Sequence, residues 1–160
     1  MALDLDAVRV GLPASVPMVA TLELEFLELD HARAVLRLPD NPAFRNHLGS
    51  PHAGAMFSLG ESTSGALVLA NYGDLLGEVT PLAVEATIRY LKVARGPVTA
   101  TATMGSQVDA VLSTLRAGGR PEFQVEVELS TGEGEERLVT GAMTVLWTLK
   151  PTRRPEPASA

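Results

Sequence analysis

The chain has 160 residues, enough for one domain. Its 46% apolar and 20% charged residues supply a core and exclude a disordered chain. With 13 Lys and Arg against 19 Asp and Glu, the net charge is −6 and no basic run is present, which argues against nucleic acid and anionic membrane surfaces as partners. The absence of cysteine removes disulfides, thiolate metal sites and a cysteine nucleophile.

Residues 1–17 read as an irregular N-terminal segment, with neither the basic start nor the apolar run of a signal peptide, so a cytoplasmic location is expected. Alternation with period two begins at Thr21: Leu22, Leu24 and Phe26 oppose Glu23 and Glu25, and the slip at Phe26-Leu27 predicts a bulge. Ala32, Ala34, Leu36 and Leu38 then oppose His31, Arg33 and Arg37. Ala53 to about Tyr72 is the one long segment without this alternation. It is apolar nearly all round and ends at Asn71-Tyr72-Gly73, which predicts a helix buried on most sides. Glu61, among Ser58, Ser62, Thr63 and Ser64, argues against a membrane span.

Four further alternating segments follow. Leu82 to Tyr90, Val98 to Met104, Phe123 to Leu129 and Val139 to Thr148 each carry one apolar face. Asp109 to Ala117 predicts a short helix with Asp109 as N-cap and Gly118 closing it. Thr131-Gly132-Glu133-Gly134 predicts a turn, and residues 150–160 a flexible tail. Periodicity therefore predicts an α+β domain over 18–149: an antiparallel sheet of about six strands, each apolar on one face, with one long buried helix.

Chemistry concentrates in Asn46 to Glu61. Asn46, Gly49, His52, Gly54 and Glu61 resemble the signature of hotdog-fold acyl-CoA thioesterases of the phenylacetyl-CoA and hydroxybenzoyl-CoA type. That signature is an Asn, a Gly three residues on, His-Gly-Gly opening a helix, and an acidic residue nine positions after the His. The motif covers about sixteen residues, and the strand order extends the likeness over roughly 18–149. The second short helix and the late Trp147 resemble an uncharacterised branch of that superfamily. The resemblance implies the hotdog fold, a sheet wrapped around the long helix, and hydrolysis of a thioester to a free acid and a thiol.

In that reading Glu61 is the base or nucleophile, Asn46 positions the carbonyl or the water, and His52 is a supporting hydrogen bonder. The backbone N–H groups of Ala53 and Gly54 polarise the carbonyl, since a helix start offers unpaired donors and positive potential. Ala53 stands where the resembled enzymes have glycine. Ala83 falls where they often have a Ser or Thr, with Thr80 and Thr87 nearby. Arg89, Lys92 and Arg95 are the cations available to coenzyme A phosphates. Coenzyme A enters only as part of the substrate, and no other cofactor is expected.

Read from the residues alone, the alternative for Glu61 is a structural carboxylate bonded to Ser58 or Ser64, and a lone His52 before a helix is more often a hydrogen-bond anchor than a catalyst. No second His lies at metal-ligand spacing on a shared face, so no metal is expected. A non-catalytic hotdog protein that binds an acyl chain or acyl-CoA is the main alternative. A hydratase would want an Asp/His pair that the sequence does not offer. The expected partners are an acyl-CoA or other acyl thioester and a second copy of the chain, as a homodimer or a homotetramer.

Overall fold

Two short helices precede the sheet in the computed structural model, which describes residues 4–152. The first, α1 (Leu5–Ser15), starts where the Asp4 carboxylate accepts the Asp6 N–H at 3.1 Å. The second, α2 (Pro17–Thr21), has proline in its first turn. Val8, Leu12 and Val19 are buried. The segment 1–17, expected to be irregular, is therefore helical over 5–15 and part of the core. Its apolar residues recur at helical spacing, and Pro13 and Pro17 obscured that pattern.

The strands are β1 (Glu25–Leu29) and β2 (Arg33–Leu38) before the long helix, and β3 (Val79–Tyr90), β4 (Val98–Met104), β5 (Glu122–Thr131) and β6 (Leu138–Pro151) after it. They form one six-stranded sheet in the order β1-β2-β4-β5-β6-β3, with every pairing antiparallel. The slip at Phe26-Leu27 is a register shift between Phe26 and Glu28, as the alternation requires. β6 continues to Pro151, which pairs with Val79, and the Thr152 N–H donates to the Glu78 carbonyl. Residues 150–152, expected in a flexible tail, are thus held by the sheet, and the rest of that expected tail, 153–160, lies outside the described residues.

The long helix, α3 (Ala53–Tyr72), has the expected limits. The sheet wraps around it in the hotdog arrangement. Ala34, Leu36, Ala100, Ala102, Val125 and Val145 are fully buried on the inner face. Small residues allow the close approach: a Cβ added to Gly60 would lie 2.6 Å from Met143 Sδ. Tyr72 and Phe123 pack ring against ring at 5.2 Å. The short helix α4 (Val108–Arg116) starts one residue earlier than expected, with Gln107 at the N-cap and Asp109 in the first turn. Gly118 follows it with φ +82°, the left-handed turn that suits glycine.

The two sheet edges differ. On β1, Glu25 and Glu28 pair with Arg37 and Arg33 of β2, and such charges discourage further strand pairing. On β3, the alternation is broken by a register shift between Ala83 and Glu85; Val79 is buried and Ala86 and Ile88 pack on the core, but much of the strand is exposed. Leu82, Val84 and Tyr90 are 40%, 48% and 47% exposed, and Leu91 and Val93 beyond the strand are 48% and 54% exposed. Among the described residues, no helix is long and apolar enough to cross a membrane.

Candidate functional site

The loop before α3 is folded by Asn46. Its side-chain oxygen accepts the N–H of Leu48 at 2.9 Å and of Ser50 at 3.2 Å, while its own N–H donates to the Ser50 carbonyl at 2.8 Å. Gly49, at φ +72°, makes the turn that this closure needs. Ser50 is buried and donates to the Ala94 carbonyl at 2.8 Å, tying the loop to the segment after β3. These bonds occupy the Asn46 oxygen. Its side-chain Nδ2 has no partner among the described residues, so Asn46 can still donate one hydrogen bond to a ligand.

The loop delivers the chain to the start of α3. His52 is the N-cap, and its Nδ1 accepts the Gly54 N–H at 2.9 Å. That bond takes one of the two backbone donors expected to face a carbonyl. The Ala53 N–H has no partner among the described residues and is the donor that remains. The Tyr90 hydroxyl donates to the Ala53 carbonyl at 2.8 Å and fixes the helix start against the end of β3. Asn46, Ala53, Tyr90 and Lys92 line a cavity of about 340 Å³ at this point. Arg89 and Arg95 are exposed and do not line it. Of the three expected cations, only Lys92 is brought beside Asn46 and Ala53.

Glu61 is two turns further along α3 and lines a different cavity. This space, of about 690 Å³, lies between α1 and α3 and is mostly apolar, with Val8, Leu12, Val68 and Trp147 among its walls. Among the described residues, Glu61 is the only charged one lining it. Burial pushes the Glu61 carboxyl above the ordinary value of 4.5, and a hydrogen bond from Ser62 opposes part of that rise. Neither serine suggested as a structural partner bonds the carboxylate. Ser58 donates to the Gly54 carbonyl at 2.9 Å. Ser64 donates to the backbone carbonyl of Glu61 at 2.7 Å and accepts from Trp147 Nε1 at 3.0 Å. A carboxylate so placed can take a proton from water or attack an electrophilic carbon.

Ala53 and Glu61 are eight residues apart on one helix, about 12 Å along its axis. Thr80, rather than Ala83, lines the cavity with Glu61; Ala83 and Thr87 are exposed. Sequence reasoning missed Ser62 as the partner of Glu61 and α1 as a wall of its cavity. The signal available for α1 was the spacing of Val8, Leu12 and Ser15. Among the described residues, no group of three or more His, Asp or Glu side chains is placed to hold a metal ion.

A family model described as a domain of unknown function (DUF4442) matches residues 6–148. No curated protein matches the chain. Among solved structures, the chain is similar to a Pseudomonas aeruginosa protein of unknown function described as a probable thioesterase. That match has a TM-score of 0.81 and 25% identity over 95% of this chain and 99% of the other. A thioesterase family protein from Silicibacter pomeroyi superposes with a TM-score of 0.74 at 19% identity, over 93% and 100% of the two chains. A Chlorobaculum tepidum protein of unknown function gives a TM-score of 0.82 at 11% identity, over 92% and 94%. The two likenesses of lower identity speak for the fold, and the shared fold is the hotdog.

Proposed function

We propose that this chain, which belongs to the DUF4442 family, hydrolyses acyl thioesters, with acyl-CoA as the substrate class, to a free acid and a thiol. The observation that carries the reading is Glu61: a carboxylate raised by burial, with no charged neighbour among the described residues that line its apolar cavity, on the helix whose first N–H has no partner among them. In the reaction Glu61 takes a proton from water, and the resulting hydroxide adds to the thioester carbonyl carbon. The Ala53 N–H stabilises the oxyanion, and Asn46 Nδ2 donates to the carbonyl or the water. Collapse breaks the C–S bond, and the proton goes to the departing thiolate. Direct attack by the carboxylate uses the same groups. Lys92 meets the phosphates of coenzyme A.

One chain cannot complete this site. A carbonyl held by the Ala53 N–H lies within ~3 Å of it, and a Glu side chain spans only about half of the ~12 Å to that point. The site therefore takes Asn46 and Ala53 from one subunit and Glu61 from another. The uncovered apolar β3 edge supports assembly with a second copy, and a two-fold dimer makes two such sites.

A second reading, an acyl-thioester binder without turnover, is favoured by two observations: the residue after His52 is Ala53, not glycine, and the Gly54 N–H is already bonded. A panel of acyl-CoAs with free-thiol detection tests both. Thiol release by the wild type, falling at least ~100-fold in Glu61→Gln, is expected for loss of a positioned base. Binding with no thiol release would support the second reading.

A further inference from the structure

We propose that the apolar tail of the acyl group binds in the cavity between α1 and α3, and that Gly11 sets the length of tail the protein accepts. This rests on the thioesterase reading of Glu61 and deepens it: the substrates are uncharged, apolar acyl thioesters of intermediate length.

The two facing walls share one spacing. On α3, Glu61, Gly65 and Leu69 line the cavity, and on α1, Ala7, Gly11 and Ser15 do so. The ends of each set are eight positions apart, about 12 Å along the helix, comparable with an extended decanoyl chain. The volume of about 690 Å³ falls within the ~300–1,000 Å³ of pockets that enclose small organic ligands. Among the described residues Glu61 is the one charged group lining the cavity, so an acyl group with a carboxylate of its own would be buried beside a like charge with no counter-ion from those residues.

Gly11 has no conformational reason to be glycine. It lies inside α1 and is not among the residues of positive φ. Glycine in a helix interior is unfavourable relative to alanine. A Cβ added there meets nothing within 4 Å, so the missing side chain leaves open space. The helix gives up stability at this position, and the cavity gains room midway along its α1 wall, where a larger side chain would stop a long tail.

The test uses an internal reporter. Trp147 is the single tryptophan of the chain and lines this cavity. The protein is titrated with methyl ketones of increasing alkyl length, from propyl to dodecyl, while its emission is followed. These ketones mimic the thioester carbonyl, carry no coenzyme A and cannot be hydrolysed. Saturable emission changes are expected, tightest near the decyl ketone. Gly11→Leu, which favours the helix, should melt no lower than the wild type. It should weaken the decyl ketone by at least ~10-fold, as filling a hydrophobic pocket does, and shift thioester turnover towards shorter acyl chains.

An emission that no ketone moves, in a protein that hydrolyses acyl-CoA, would overturn the proposal and leave the thioesterase reading standing; so would a length profile unchanged by Gly11→Leu. Tight decyl ketone binding, lost in Gly11→Leu, would uphold the cavity even in a protein that releases no thiol, where the hydrolysis reading alone would fall.

Discussion

His52 Nδ1 accepts the backbone N–H of Gly54 at 2.9 Å, and this bond decides which donor the helix start can offer. With Nδ1 as acceptor the imidazole acts as an N-cap, a role for which Asn, Asp and Ser are the preferred residues. His52→Asn should therefore keep both fold and turnover within a few-fold, whereas His52→Ala should lose about 1 kcal/mol of stability. Thermal melts and thiol-release rates of the two variants check this. A large loss of turnover in a stable His52→Asn protein would give His52 a direct part in the chemistry.

Glu61 sets the pH dependence. Its carboxyl is raised above 4.5 by burial and lowered in part by the Ser62 hydrogen bond. Turnover needs the ionised form, so the acid limb of kcat should lie above the ordinary carboxylate range. Ser62→Ala should move that limb to still higher pH. Stability follows the same linkage. Because the folded pKa exceeds the unfolded one, the contribution of Glu61 is fully present below pH 4.5 and is lost as pH rises through the folded value. The melting temperature of Glu61→Gln should match the wild type in acid and exceed it increasingly towards neutral pH. Parallel melting curves across that range would contradict the burial of the charge.

The β3 edge makes a prediction about assembly. Val84 is 48% exposed on a strand whose far side has no neighbour in the sheet, while the β1 edge is lined with ion pairs. Light scattering at micromolar concentration should give a dimer or a tetramer of paired dimers. Val84→Glu should shift the protein towards monomer, since like charges would face each other across a two-fold axis, and turnover should fall with it. A folded wild-type monomer would contradict the shared site.

The limits of α3 and most strands of the sheet were legible because their patterns are strong. Twenty residues without alternation separate two strands from four, and the inward residues of β2, β4, β5 and β6 follow period two. The N-terminal helix was not legible, because two prolines interrupt a short pattern whose apolar residues are only partly buried. β3 was legible as a strand, but the exposure of Leu82, Val84 and Tyr90 was not, since alternation reports an apolar face and says nothing about what covers it. At the site, spacing placed Asn46, Ala53 and Glu61 on one loop and one helix. It could not reveal that His52 consumes the Gly54 donor, that Asn46 spends its oxygen on the loop, or that Thr80 rather than Ala83 lines the Glu61 cavity. Those depend on side-chain direction and on a bulge in β3.

The central claim, one thioester site built from two subunits, is tested most directly by mixing two inactive chains. Asn46→Asp keeps the loop-closing acceptor and removes the Nδ2 donor; Glu61→Gln removes the base. Each homodimer should be nearly inactive. After random exchange, half the dimers are mixed, and each has one site with both defects and one intact. About a quarter of wild-type turnover should return. No recovery, with exchange confirmed by a tag on one chain, would place Asn46 and Glu61 in the same subunit's site and contradict the account.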